Sequence, residues 1–139
     1  MVIINGENLI LGRIGSFAAT KLLADEKVAI INAEKIVVRG TPMAIMERFK
    51  RRSTLQAKGN PVKGPKYYKA SVNLVRFAIR GMLPWKRKTG KEAYRKLRVY
   101  VGLPKQFEGK DIITLENAKC TKGKYLTIAE ISKQVGGTW

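Results

Sequence analysis

Val2-Ile3-Ile4-Asn5 and Val28-Ala29-Ile30-Ile31-Asn32 are short apolar runs rich in β-branched residues, each closed by an asparagine. Runs of that length and composition read as buried strands. Between them Ile14, Phe17, Ala18 and Leu22 recur at helical spacing, and Ala19 and Leu23 widen the stripe. Strand, helix, strand in this order is a βαβ unit, which implies parallel strands joined by a right-handed crossover. Ile36-Val37-Val38 is a third strand candidate, ended by Arg39-Gly40. Its link to the second strand is too short for a helical crossover, so its pairing stays open.

Working outward, Thr41-Pro42 supplies a hydroxyl N-cap and a proline at the first helical position. Ile45, Met46 and Phe49 form the inward face of that helix, with Arg48 and Arg51 turned elsewhere and Lys50 beside the stripe. From Gln56 to Ala70 the period breaks. Lys58-Gly59-Asn60-Pro61 and Lys63-Gly64-Pro65-Lys66-Tyr67-Tyr68-Lys69 make an extended arm of a length that compact domains keep for function or leave disordered. Ser71 is expected to cap a helix from Val72 to about Leu83, apolar round most of its circumference, with a ribbon of Asn73, Arg76 and Arg80. After Pro84 comes the loop Trp85-Lys86-Arg87-Lys88-Thr89-Gly90. A helix from Lys91 to Arg98 would then place Lys91, Arg95 and Arg98 on one face, with Val99-Tyr100-Val101 as a strand after it. In the tail, Ile112-Ile113-Thr114-Leu115 is a further strand candidate. Thr127-Ile128-Ala129-Glu130 fits a capping box for a short helix through Ile131 and Val135, ended by Gly136-Gly137.

Charge is distributed very unevenly over these elements. Residues 39–105 hold 19 Lys and Arg against only Glu47 and Glu92, whereas the flanks hold nine basic and eight acidic residues, in a chain of net charge +18. Soluble surfaces normally intersperse both signs, and a one-sign block repels itself unless a polyanion neutralises it. Three consecutive helices and two loops that share one sign point to nucleic acid. Trp85, Tyr67 and Tyr68 lie among the cations, where rings either stack on bases or pack on arginine stems at the edge of the core.

Composition excludes several chemistries. There is no histidine, which removes catalytic triads, histidine proton shuttles and His-containing zinc sites. The single cysteine, Cys120, excludes an intramolecular disulfide or a Cys-rich metal site. The two aspartates, Asp25 and Asp111, are far apart, and Glu47 and Glu92 stand alone among cations, so clustered carboxylates for a two-metal nuclease are missing. Gly12-Arg13-Ile14-Gly15 sits where a phosphate loop could lie, but it lacks the third glycine of a dinucleotide fingerprint and the Lys-Ser/Thr of a P-loop. It reads as a tight turn with close helix packing, which leaves an enzyme with no cofactor, no metal and no small-molecule substrate to work on. No apolar run approaches the roughly 20 residues of a membrane span, and Met1-Val2-Ile3-Ile4-Asn5-Gly6 lacks the pattern of a signal peptide. No membrane partner is expected, and the expected location is cytoplasmic.

Ile79-Arg80-Gly81-Met82-Leu83-Pro84-Trp85-Lys86-Arg87-Lys88-Thr89-Gly90-Lys91, followed by Leu97-Arg98-Val99-Tyr100-Val101-Gly102, resembles the signature of a universal ribosomal protein family, number thirteen of the large-subunit series. Leu11-Gly12-Arg13-Ile14-Gly15-Ser16 is similar to the family's first-helix opening, and Val28-Ala29-Ile30-Ile31-Asn32-Ala33-Glu34-Lys35 to its second strand. The likeness covers Met1 to about Lys105, and Pro84-Trp85-Lys86 and the tail helix resemble the archaeal and eukaryotic branch. Residues 106–122 match least, and nothing is carried over there.

The resemblance implies one domain over residues 1–139, a three-layer α/β/α fold with a small, mostly parallel sheet, plus the basic arm at about 56–70. It also implies a non-catalytic structural constituent of the large ribosomal subunit that binds and helps organise 23S-type rRNA during assembly, beside neighbouring large-subunit ribosomal proteins. The rRNA-facing residues would be Arg48, Lys50, Arg51 and Arg52 at the helix end, Lys58, Lys63, Lys66 and Lys69 in the arm, and the ribbon of Arg76 and Arg80. Trp85, Lys86, Arg87, Lys88 and Lys91 in the loop, with Arg95 and Arg98, complete the set. The alternatives are a free-standing RNA- or DNA-binding regulator that uses the same surface, and a nucleotide-dependent enzyme on the βαβ core.

Overall fold

The computed structural model describes residues 1–55 and 57–137. In chain order the elements are β1 (Val2–Asn5), α1 (Leu11–Leu23), β2 (Val28–Ile31), β3 (Val37–Arg39), α2 (Pro42–Thr54), α3 (Ser71–Met82), α4 (Lys88–Arg95), β4 (Leu97–Val99), β5 (Tyr125–Thr127) and α5 (Ile128–Gln134). Strands β1, β2 and β4 form a parallel sheet in that order. The α/β class and the βαβ unit expected from the opening residues are therefore present. β2 is central and buried along its whole length, which is why it carries no polar residue.

Side-chain alternation divides the sheet into two faces. Ile4, Ile30 and Val99 lie in register and join the main core, to which all five helices among the described residues contribute. Its centre includes Ile14 and Leu22 from α1, Val75 and Ile79 from α3, and Ile128 and Ile131 from α5. Ile3, Ala29 and Ile31 point the other way, onto Phe107. The layer on that side is thin, a one-turn 3-10 helix at Lys105–Phe107 with Tyr100 edge-on to Phe107 at 5.3 Å.

Several boundaries differ from the sequence expectations. The third strand lies at Val37–Arg39 and stays out of the parallel sheet, pairing antiparallel with β5 (Val37 with Thr127, Arg39 with Tyr125). The helix expected over Lys91–Arg98 runs from Lys88 to Arg95, and the strand after it is Leu97–Val99 rather than Val99–Val101. Leu97 and Val99 are buried around an exposed Arg98, a period of two that pairs with β2 and ends the helix before Arg98. Ser71 does not cap α3: the N-cap is Ala70, and Ser71 is the first helical residue, buried with its Oγ unpartnered. Thr41 is the N-cap of α2 with Pro42 behind it, but its side chain makes no cap hydrogen bond. At α5 the capping box is complete, with Thr127 Oγ1 accepting from the Glu130 N–H and Glu130 accepting from the Thr127 N–H.

The segment 106–122 is a strap around the first strand and helix. Ile113 pairs with Ile4 on the free edge of β1 through Ile113 N–H to Ile3 carbonyl (2.8 Å) and Asn5 N–H to Ile113 carbonyl (3.1 Å), one bridge in place of the strand expected at Ile112–Leu115. Farther on, Ile10 N–H donates to Ala118 carbonyl and Cys120 N–H to Asn8 carbonyl, both at 2.9 Å. Arg13 Nη1 donates to the Asn117 carbonyl, so the turn entering α1 is occupied by the chain itself. Gly15 supplies the close packing expected of it, since a Cβ there would meet Met82 of α3 at 2.8 Å.

Candidate nucleic-acid interface

α2 carries its cations to two sides. Arg48 and Arg52, one turn apart, line a cleft of about 290 Å³ with Phe49 and Ser53. Lys50 and Arg51 lie round the helix with Met43, Glu47 and Thr54. The cluster expected to act as one patch is thus divided by the helical period.

The arm has a local fold although it forms no helix or strand in its described part; Gln56, where it was expected to begin, lies outside the described residues. Asn60 Oδ1 accepts from the N–H groups of Val62 (3.2 Å) and Lys63 (3.4 Å), and Gly64 N–H donates to the Pro61 carbonyl (3.3 Å). This side-chain-closed turn presents Lys58, Lys63 and Lys66 to solvent. Its far end is fastened to α5, where Ser132 Oγ donates to the Lys69 carbonyl at 2.7 Å. Tyr67 and Tyr68 thereby come against the cleft, facing Arg48, Arg52 and Phe77.

The ribbon on α3 is held by rings. Arg76 lies over Tyr94 (Cζ to centroid 5.2 Å), and Arg80 lies over Trp85 (4.3 Å) and Phe77 (5.4 Å). Trp85 meets Tyr94 edge-on at 5.2 Å and 88°, while Tyr68 meets Phe77 at 6.4 Å. Tyr68, Phe77, Arg80, Trp85, Tyr94 and Arg76 therefore form one continuous series. Trp85 spends ring surface on Arg80 and Tyr94, so of the two roles open to it the packing role is realised. A guanidinium over a ring keeps its in-plane N–H groups for other acceptors, and Arg76 Nε is buried without a hydrogen-bond partner.

The loop before α4 is fixed by Trp85 N–H to Leu83 carbonyl (2.7 Å) and Arg87 N–H to Pro84 carbonyl (3.0 Å). Gly90 lets α4 start directly on it, because a Cβ at that position would stand 2.2 Å from the Pro84 carbonyl oxygen. Lys86, Arg87, Lys88, Lys91 and Arg95 are exposed around it. Arg98 is not part of that surface. On β4 it pairs with Ala29 of β2 and projects from the sheet face opposite the helices, so the stripe of Lys91, Arg95 and Arg98 stops at Arg95.

Of these candidate cations only Lys88 forms an ion pair among the described residues, with Glu92 at 3.8 Å. Three carboxylates of the flanks are paired with lysines: Glu26 with Lys21 (3.1 Å), Glu7 with Lys35 (2.8 Å), and Asp25 with Lys96. The Lys35 ammonium, by its hydrogen bond and then its charge, holds the Glu7 carboxyl below the usual carboxylate range, and Glu7 raises Lys35 in turn. Among the described residues no three His, Cys, Asp or Glu gather where they could hold a metal ion, and no helix is long and apolar enough to cross a membrane.

Phe49, Phe77 and Tyr94 join the candidate surface in the fold without being marked as such by the sequence. Phe77 stands at i−3 from Arg80, a spacing that would have disclosed the ring beneath the guanidinium. Tyr94 had no such signal, because its partner Arg76 comes from another helix.

The sequence model of the ribosomal protein L13 family matches residues 1–106, almost the span over which the signature resemblance runs. The chain is 39% identical over 140 residues to the large ribosomal subunit protein uL13 of Sulfolobus acidocaldarius, covering 99% of this chain and 94% of that one. It is 37% identical to the uL13 of Methanosphaera stadtmanae (98% and 97% covered) and 36% identical to that of Archaeoglobus fulgidus (96% and 86%). These relatives are archaeal ribosomal proteins, not enzymes. The chain belongs to the ribosomal protein L13 family.

Proposed function

We propose that this protein is a structural, non-catalytic constituent of the large ribosomal subunit that binds large-subunit rRNA and helps organise it during assembly in the cytoplasm, beside other large-subunit proteins. The observation that carries this reading is the cation set, exposed on α2, the arm and the loop before α4 and half-buried on α3, which has almost no carboxylate to neutralise it. The core fixes these side chains on separate elements, so they meet phosphates of different rRNA segments. Phosphate contacts supply affinity and register, and RNA shape supplies selectivity. The names of relatives matched over nearly the whole chain favour this reading over a free-standing regulator.

The test is association with large-subunit rRNA across a salt series. With about ten phosphates engaged, the log–log slope is expected near −7 to −9. Arg48/Arg51/Arg52→Glu should abolish tight binding, whereas Lys27/Lys119/Lys122→Glu should weaken it little. A slope near zero, or equal loss from both sets, would overturn the reading. Recovery of the protein in the soluble fraction instead of with large subunits at high magnesium would support the regulator.

A further inference from the structure

The cleft between α2, α3, α5 and the arm has a use that phosphate contacts leave unfilled. Its floor is apolar, with Leu74 and the buried Ile128, and its walls carry rings from three elements: Phe49, Tyr67 and Phe77. Two of the rings at its mouth are strongly exposed for their type, Tyr68 at 55% and Phe77 at 41%. Ring surface left open to water is unfavourable for a free monomer and marks an interaction site when contiguous. At about 290 Å³ the cleft lies at the lower limit for small-molecule pockets and suits one flat ring system.

The charge around the cleft identifies the occupant. Arg48 and Arg52 stand about 6 Å apart along the axis of α2, no carboxylate lines the cleft among the described residues, and Glu47 lies on the other side of the helix. An apolar floor, aromatic walls and two guanidiniums at the rim complement a flat base that carries a phosphate on either side. A base-paired duplex cannot insert one base, whereas an unstacked nucleotide can.

We propose that this cleft seats one unpaired nucleobase of an RNA strand among Tyr67, Tyr68 and Phe77, with Arg48 and Arg52 on the flanking phosphates. The proposal rests on the rRNA-binding reading and adds to it a contact with a base. Serine-tethered anchoring of the arm through Ser132 and Lys69 holds two of the three rings at the cleft.

The test compares hexauridylate with its fully abasic ribose-phosphate counterpart on the full chain at one salt concentration, by fluorescence anisotropy. Both carry the same charge, so a purely electrostatic surface binds them equally. Stacking of a base in the cleft is expected to make hexauridylate about tenfold tighter. Tyr67→Leu should erase the difference by bringing hexauridylate down to the abasic affinity, and Arg48→Gln with Arg52→Gln should weaken both oligomers. Photocrosslinking of 4-thiouridine hexamer to the unaltered protein gives a reading that no variant's folding can obscure; crosslinks at Tyr67, Tyr68 or Phe77 are expected. Equal affinity for the two oligomers, or crosslinks confined to residues 85–91, overturns the base pocket. Parallel binding to a large-subunit rRNA transcript separates the failures. Tight transcript binding without a base preference sinks the pocket alone, and absence of transcript binding sinks the rRNA reading with it.

Discussion

Arg80 rests over the indole of Trp85, its Cζ 4.3 Å from the ring centroid, and the same indole is braced edge-on by Tyr94. A helix side chain is thus positioned by the loop that follows the helix. Long cations lose rotamer freedom on binding; one already laid on a ring has lost part of it beforehand.

This arrangement gives a measurable coupling. A double-mutant cycle of Arg80→Ala and Trp85→Ala in urea denaturation should return about 0.5–2 kcal/mol, the range of a partly desolvated cation–π contact. On rRNA, Arg80→Ala should reduce the salt slope by about 0.7–0.9. Trp85→Ala should weaken binding with a smaller change in slope, since it releases a cation without removing one.

Gly90 and Gly81 should respond oppositely to alanine. A Cβ at Gly90 collides with backbone at Pro84, where no side chain can yield. Gly90→Ala is expected to cost at least the ~1–3 kcal/mol of an overpacked core, measured by urea denaturation. Gly81 lies in the last turn of α3 with nothing within 4 Å of the added carbon. Gly81→Ala should be neutral or stabilise by up to ~1 kcal/mol.

α5 controls the arm. Thr127→Ala removes a complete capping box and should cost about 1 kcal/mol. Ser132→Ala breaks the hydrogen bond to the Lys69 carbonyl. Amide exchange should then accelerate for residues 66–70 more than for the central sheet, because the tie is local. Uniform acceleration across β2 would refute local anchoring.

The Glu7–Lys35 pair predicts a pH signature. The Glu7 carboxyl is lowered by Lys35, so its contribution is present above the unfolded carboxylate range and is lost as pH falls through the lowered value. Lys35 is raised, so its share is present below the usual ammonium range and is lost at still higher pH. The small drop in thermal midpoint caused by Glu7→Gln at pH 7 should therefore close on acidification below about pH 4. It should also close in roughly 1 M salt, as expected of an exposed pair.

How much was legible followed the range of the interactions. Val28–Ile31 announced itself because a strand buried on both faces is apolar at every position. The α5 capping box was readable because its partners are three residues apart. The end of α4 was misplaced because Arg95 and Arg98 satisfy a helical face equally well. Pairing of Leu97 with Val28, 69 positions away, drew Leu97 and Arg98, the last two residues of the expected helix, into a strand. Ser71 looked like a cap, but packing drew it into the first turn and buried its hydroxyl.

By itself the sequence determined the βαβ start, the one-sign charge block and the family signature from Ile79 to Gly102, since composition and short-range spacing are written along the chain. Tertiary structure alone decided that Arg48 and Arg52 share a cleft with Tyr67 and Phe77, that Arg76 lies on Tyr94, and that Arg98 leaves the basic face. Each of these depends on which surfaces meet once Ile30, Ile79 and Ile128 are buried together. That burial is non-directional and proportional to area, so only the closed core specifies which distant side chains become neighbours.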